Sequence, residues 1–272
     1  MENKRIIYTP SLFAKNNLLY LQETGIRTTI NIHEKGRDNL NSYLFFIVLS
    51  GEGSLAQNNK EYNLNKDDIV FIDCNTKYTQ KSNKWAIQWV HFNGPTMNNI
   101  YDKYIARGGK PVFNTKQKKE YQMVLSNINH ILNSDDHVKD MHLAEQLTIL
   151  LSLLMQDAWD NKKADKKETT TLNKIKDYIN ENYKQELNLQ TIADTFYLNK
   201  FYLSREFKKQ YDITINNYIA QIRITKAKNL LRFSDKSITE IALEVGIQDP
   251  NYFARQFKKV EGMSPSEYKS KW

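Results

Sequence analysis

Roughly the last hundred residues of this chain contain one unit twice. Ile192-Ala193, followed by Tyr202-Leu203-Ser204-Arg205-Glu206-Phe207-Lys208-Lys209, recurs as Ile241-Ala242 followed by Tyr252-Phe253-Ala254-Arg255-Gln256-Phe257-Lys258-Lys259. An offset of fifty continues to pair Asp212 with Gly262, Ile213 with Met263, Thr214 with Ser264 and Tyr218 with Tyr268. A solenoid needs at least three copies to bury a continuous core, so two copies indicate one supersecondary unit used twice.

Each copy reads as helix, tight turn, helix. In the second, Ser237-Ile238-Thr239-Glu240 is a capping box, and Ile238, Ile241, Ala242 and Val245 share one face. Gly246 supplies the turn, Asp249 is an N-cap, and Pro250 takes the first helical position, where its missing N–H is harmless. Spacings of four and three turn Phe253, Phe257 and Val260 inward and leave Asn251, Ala254, Arg255 and Lys258 outside. Gly262 ends this helix, and Ser264-Pro265-Ser266-Glu267 opens another carrying Tyr268. A helix over residues 214–232 joins the copies. In the first copy Asp212 replaces Gly262, so it must adopt the left-handed conformation or end its helix differently, and Ile215 replaces Pro265.

A short helix, a turn and a second helix with a basic, polar outer face is the geometry that seats a recognition helix in the major groove of DNA. Such a pair is also ordinary packing; duplication, with Arg205 and Arg255 at the same outward place, favours the DNA reading. The segment resembles the DNA-binding domain of the AraC/XylS family of transcription regulators, in Ile241-Ala242, Val245-Gly246-Ile247, Asp249, Tyr252-Phe253, Arg255, Phe257-Lys258-Lys259, Gly262, Ser264-Pro265 and Tyr268. The resemblance implies two recognition helices entering successive major-groove segments of double-stranded DNA. Carried over by position, the base readers are Lys200, Phe201, Ser204 and Arg205 in the first helix and Pro250, Asn251, Ala254 and Arg255 in the second. Arg suits guanine and Asn adenine, each good pair being worth roughly 1–3 kcal/mol of discrimination. Lys208, Lys209, Arg223, Lys258 and Lys259 are expected on phosphates, which set register without reading sequence.

The net charge of +8 lies mostly on this side: residues 172–272 hold 17 Lys and Arg against 12 Asp and Glu. Residues 1–160 are nearly balanced, with 18 against 17. A basic excess on the DNA-reading side is what a phosphate-binding surface requires. The single cysteine, Cys74, excludes a disulfide framework or a cysteine metal cluster. The first ten residues are polar and charged, and no apolar run approaches twenty residues, so a cytoplasmic location without membrane association is expected.

Residues 1–115 read as strands and turns. Residues 43–49 are a continuous apolar run ended by Ser50-Gly51-Glu52-Gly53; Asn58-Asn59-Lys60 is a hairpin turn; residues 69–72 and 85–92 are further strands. The spacing indicates a sandwich or barrel. This order of turns is similar to the cupin-like sensor barrel of the same family, notably in Leu49-Ser50-Gly51-Glu52-Gly53, Lys66-Asp67-Asp68 and Trp89-Val90-His91-Phe92-Asn93-Gly94. Trp85, Ile87, Trp89 and His91 share one strand face, and the resemblance places Trp89 inside the pocket. An aromatic platform with polar neighbours suits a sugar. Ser50, Tyr78, Trp85, Gln88 and His91 complete the candidate contacts, against the competing reading that aromatics at period two are barrel core.

A cupin metal site needs two His one residue apart, and His33 has no such partner; the later His is replaced by Tyr78, and His91 stands alone. No metal, no other cofactor and no enzymatic activity is expected, since triad and nucleotide-loop signatures are missing too. Helical stripes over residues 118–132 and 143–159 either cover the barrel or form a homodimer interface, as the resemblance implies, and charged residues 161–171 read as a flexible linker.

The expectation is an α+β chain of two domains. Residues 1–160 form a cupin-like barrel with flanking helices; residues 161–171 are the linker; residues 172–272 are all-α, two helix-turn-helix units joined by a long helix. Its function would be transcription regulation, as an activator contacting RNA polymerase, controlled by a small-molecule effector, a sugar. The rivals are a barrel that only dimerises or binds a protein partner and, more remotely, a cupin-type carbohydrate enzyme.

Overall fold

The computed structural model describes residues 3–33, 36–164 and 168–271. They form two compact units, Met1–Asp165 and Lys166–Trp272. The first contains β1 (Lys4–Ile7), α1 (Leu12–Asn17), β2 (Tyr20–His33), β3 (Tyr43–Gln57), β4 (Lys60–Asn65), β5 (Ile69–Asp73), β6 (Tyr78–Asn93), α2 (Met97–Ala106), β7 (Val112–Phe113), α3 (Lys118–Asn133) and α4 (Lys139–Ala164). The strands make one antiparallel sheet of order β1-β2-β6-β3-β5-β7, with β4 paired to the second half of β3.

β3 begins with six consecutive buried residues. Side chains alternate across a strand, so Tyr43, Phe45 and Ile47 join one core while Leu44, Phe46 and Val48 join another on the opposite face. The first core is closed by the stripes of α3 (Tyr121, Val124, Leu125, Ile128) and α4 (Leu143, Leu147, Leu150, Leu151, Leu154). Those stripes therefore serve as sheet cover, and among the described side chains Met123, Met141 and Ile149 are the large apolar ones that α3 and α4 leave exposed.

The inner face closes on itself because the long strands bend. Residues 50–53 do not end β3; the strand runs through them, with register shifts against β6 between Val48/Ser50 and Glu52/Gly53. Gly51 has φ +79, and a Cβ there would lie 2.0 Å from the Lys84 carbonyl oxygen. The Gly51–Gly53 signal is thus a bulge, and a bulge bends and twists a strand where a turn would terminate it. Asn58 and Asn59, with φ 51 and 59, make the two-residue hairpin between β3 and β4. β1, β2, α1 and α2 were not delimited by the sequence pattern, whose polar residues in β2 mask its alternation.

The second unit contains α5 (Glu168–Asn182), α6 (Leu189–Thr195), α7 (Lys200–Tyr211), α8 (Ile215–Phe233), α9 (Ile238–Glu244), α10 (Pro250–Glu261) and α11 (Pro265–Lys271). α4 reaches Ala164 and α5 starts at Glu168, so the expected linker at 161–171 is helical on both sides of residues 165–167, which lie outside the described residues. Lys, Ala and Glu favour helix even without an apolar face.

Two helix-turn-helix copies share α8. Its first half closes one cluster with Ile175, Ile192, Leu203 and Phe207; its second half closes another with Ile241, Phe253, Phe257 and Tyr268. The caps form as expected: the Ser237–Glu240 box, the Asp249 side chain accepting from the Asn251 N–H at 2.9 Å, and the reciprocal Ser264–Glu267 bonds at 2.7 and 3.2 Å. Val260 departs from expectation, being 44% exposed. Helical spacing sets a side chain's direction but does not supply a neighbour, and Val260 borders an open groove beside Ile213 and Gln221.

Asp212 ends α7 in the left-handed conformation (φ 58), as Gly262 ends α10 (φ 79). Tyr197 (φ 54) occupies the turn position that Gly246 (φ 83) takes in the second copy. At Gly246 a Cβ would also meet the Lys184 carbonyl oxygen at 2.4 Å, so glycine is needed there for close approach. Arg223, expected on a phosphate, is engaged within the fold. Its Nε and Nη2 donate to the carbonyls of Tyr183 and Gln185, both at 2.8 Å, just past the C-terminal end of α5. It is half-buried, and desolvation holds its pKa below the usual guanidinium range.

Two predictions follow from this packing. Asp212→Gly relieves a left-handed non-glycine residue and should raise unfolding free energy by roughly 0.5–1 kcal/mol in urea denaturation; a lowered midpoint would mean the aspartate stabilises its own turn. Arg223→Met leaves two carbonyls without their donors and should lower stability by about 1–3 kcal/mol. The salt dependence of DNA binding should stay as in the parent; a shallower slope would restore Arg223 to the phosphate-binding set.

Candidate nucleic-acid interface and ligand pocket

α7 begins where the Asn199 side chain accepts from the N–H groups of Phe201 and Tyr202 at 2.9 and 3.2 Å. Burying Leu203 and Phe207, four apart, fixes its opposite face: Lys200, Phe201, Arg205, Lys208 and Lys209 are exposed and Ser204 is partly so. α10 buries Phe253 and Phe257 in the same way, leaving Asn251, Arg255, Lys258 and Lys259 exposed, with Pro250 and Ala254 partly covered. All eight residues expected to read bases thus lie on the solvent sides of two helices of matching design.

Arg205 lies 3.1 Å from the Glu206 carboxylate and its guanidinium 5.8 Å from the Tyr202 ring. An exposed pair of this kind is worth little, so the guanidinium can be redirected toward a base edge. Phe201 is 73% exposed and Tyr197, in the preceding turn, 97%. Packing explains neither, and Tyr197 is an aromatic surface that the sequence reading missed; its only signal was its alignment with Gly246.

The inner face of the sheet holds a cavity of about 220 Å³. Trp89 forms part of its wall, opposite Gly25 of β2, where a Cβ would come within 2.6 Å of the indole. Only a glycine lets that ring lie against the strand. The Arg27 guanidinium stands 5.9 Å from the indole, with a terminal nitrogen 3.5 Å from Gln80 Oε1. His91 Nδ1 meets Ser42 Oγ at 2.9 Å and its Nε2 lies 3.9 Å from Glu23, whose carboxylate also receives Arg5 Nε at 3.0 Å. Arg37 and Tyr78 complete this side; burial pushes the Tyr78 hydroxyl pKa well up.

Of the six expected ligand contacts, Tyr78, Trp89 and His91 line the cavity and the other three do not. Trp85 is buried edge-on against Phe46, at 5.9 Å between centroids, as core. Ser50 is exposed at the bulge. Gln88 is one residue from Trp89 and pairs with Ile47, so alternation puts it on the helix-covered side. The sequence reading missed Arg5, Glu23, Arg27, Arg37 and Gln80. Glu23, Gly25 and Arg27 alternate opposite His91, Trp89 and Ile87, a pattern visible only once β2 is assigned.

Burial pushes the Cys74 thiol up to about 12, which makes it a poor nucleophile near neutrality. Among the described residues no group of three His, Cys, Asp or Glu could hold a metal ion, and no helix is long and apolar enough to cross a membrane. The side chain of His33 lies outside the described residues.

Comparison with known proteins follows the two units. Residues 21–154 match the model of an AraC-like ligand binding domain, and residues 192–271 match that of a helix-turn-helix domain. The chain is 27% identical over 244 residues to the Msm operon regulatory protein of Streptococcus mutans, covering 86% of this chain and 84% of that protein. It is 25% identical over 236 residues to the lactose operon transcription activator of Staphylococcus xylosus, covering 82% of each. Among solved structures, the C-terminal domain of AraT, a response regulator from Geobacillus stearothermophilus, is 32% identical, with a TM-score of 0.37, over 38% of this chain and 85% of that one. With a ligand-binding domain ahead of a helix-turn-helix domain, together spanning most of its length, the chain belongs to the AraC family of DNA-binding transcription regulators.

Proposed function

We propose that this protein activates transcription from promoters that α7 and α10 read in two successive major-groove segments, and that a sugar-like effector against Trp89 controls it. What carries the DNA half is the matched exposure of Arg205 and Arg255 on helices whose other faces are locked by buried Leu203, Phe207, Phe253 and Phe257. Rigid backing of this kind holds a base-reading side chain in register. Lys208, Lys209, Lys258 and Lys259 would hold phosphates beside them.

Activation, and with it a contact to RNA polymerase, is supported by the Staphylococcus xylosus relative, which is named as an activator of a lactose operon. That name and the Trp89 wall of the cavity support a sugar effector. A barrel that served only for dimerisation would need no such space. The effector must bind one arrangement of the protein better than another, since equal affinity shifts nothing. Residues 161–171 would couple sensing to reading. A homodimer would use the exposed Met123, Met141 and Ile149, because the main stripes of α3 and α4 are already covered. The site of action is the cytoplasm, with the DNA.

Arg255→Ala should relax base preference at one position of the bound site by roughly 1–3 kcal/mol, whereas Lys259→Ala should weaken all sequences alike and flatten the salt slope by about one unit. Binding of both variants to single-base variants of a selected site, across a salt series, separates the two effects. If Arg255→Ala left the preference intact, α10 would not be the second reading helix.

A further inference from the structure

The turns that precede the two reading helices have one backbone design and opposite surroundings. In the first, the Tyr197 N–H donates to the Asp194 carbonyl at 3.2 Å and the Leu198 N–H to the Ala193 carbonyl at 2.8 Å. In the second, the Gly246 N–H donates to the Leu243 carbonyl at 3.0 Å and the Ile247 N–H to the Ala242 carbonyl at 2.8 Å. Tyr197 and Gly246 are both left-handed, with φ 54 and 83. The surroundings differ. At Gly246 a Cβ would meet the Lys184 carbonyl oxygen at 2.4 Å, which bars a side chain, whereas Tyr197 is 97% exposed. The first turn can therefore carry a side chain outward where the second cannot, and it carries a large one.

Packing does not account for that ring. Its neighbours on either side turn inward, Phe196 against Tyr178 at 5.5 Å between centroids and Leu198 into the same cluster. They pin the Tyr197 backbone, so its side chain projects from a fixed point. A left-handed conformation costs an L-residue free energy that glycine avoids, and an aromatic ring left in water offsets none of it. Strain of this kind gathers at contact sites.

The place of the turn says what the ring meets. A recognition helix enters the major groove with its N-terminal residues. Tyr197 lies two residues ahead of Asn199, whose side chain caps α7, and three ahead of Lys200, the first residue of that helix. Lys200 and Phe201, which follow it, are exposed. A side chain at this point stands at the mouth of the groove, beside the sugar-phosphate strand that borders it. Its phenol hydroxyl is a donor, and tyrosine is among the side chains that hold phosphate oxygens.

We infer that the Tyr197 hydroxyl donates to a backbone phosphate at the edge of the groove segment read by α7, an anchor that the second reader lacks. This rests on the reading of α7 as a groove helix. Its test uses the full chain and a duplex selected by that chain from a random pool, titrated at several salt concentrations with the parent, Tyr197→Phe and Tyr197→Gly. Tyr197→Phe keeps ring and backbone and removes only the hydroxyl, while Tyr197→Gly should keep or raise the thermal midpoint. Both should bind about tenfold more weakly, as loss of a bond to a charged oxygen implies, and equally so on single-base variants of the site. The salt slope should match the parent's, because tyrosine brings no charge to displace counterions, which separates this contact from a lysine's. Replacing the phosphates one at a time by methylphosphonate should weaken the parent at one position bordering the first segment and leave Tyr197→Phe indifferent there. If Tyr197→Phe binds as the parent does, the phosphate bond is overturned, whether or not Tyr197→Gly is weakened. Unchanged DNA binding with reduced transcription from a promoter carrying the site would assign the ring to a protein partner and likewise overturn it. Arg205→Ala tests the underlying reading separately: if base preference in the first segment stays intact, α7 is not the reading helix, whatever Tyr197 does.

Discussion

A strand that is apolar on both faces cannot lie on a surface, and residues 43–48 of β3 are buried on both. One side, through Tyr43, Phe45 and Ile47, requires a layer of helices, which α3 and α4 supply. The other, through Leu44, Phe46 and Val48, is covered by the sheet's own inner face, and that closure is possible only if the strands bend. Gly51 and Gly53 provide the bend. The remaining inner space lies at Trp89, where Gly25 keeps the opposing strand free of a side chain. The cavity is thus a consequence of how β3 is buried, and its charged side chains come from β1, β2 and the segment ahead of β3.

The helical unit solves a different problem with one shared part. Each helix-turn-helix copy closes its core against one half of α8. The copies differ where backbone strain falls. Gly246 and Gly262 take left-handed positions without penalty in the second, whereas Tyr197 and Asp212 take them in the first. The second copy is therefore the more firmly built reader, and the first retains a strained turn that exposes an aromatic ring.

The helical unit was largely legible in the sequence because its signals are local. Caps such as Ser237–Glu240 and Asp249 bond to backbone within a few residues, and inside–outside spacing on α7 and α10 needs only the helical period. The packing role of Arg223 was not legible because its carbonyl partners lie 38 and 40 residues away, and a cation on a helix looks the same whether it meets a phosphate or a carbonyl. In the sheet, the Gly51–Gly53 stretch could mean a turn or a bulge, as both use the same residues. The pocket was legible only in part. Trp89 and His91 follow from period two, whereas Tyr78, at the opposite parity, reaches their face only across a register shift in β6; one step of alternation moved Gln88 to the other face and a bulge left Ser50 outside. Glu23 and Arg27 were hidden because a polar inner row makes β2 look unlike a strand.

The central claim, that one chain joins a two-segment DNA reader to a ligand-responsive barrel, is tested most directly by selecting bound sequences from a random duplex pool at fixed salt. The full chain would be used with and without a panel of neutral and charged sugars. The account predicts an enriched motif of two segments about 10–10.5 base pairs apart, the spacing of successive major-groove faces, with affinity or spacing altered by a member of the panel. Recovery of no motif, or of one spanning a single segment, would contradict it.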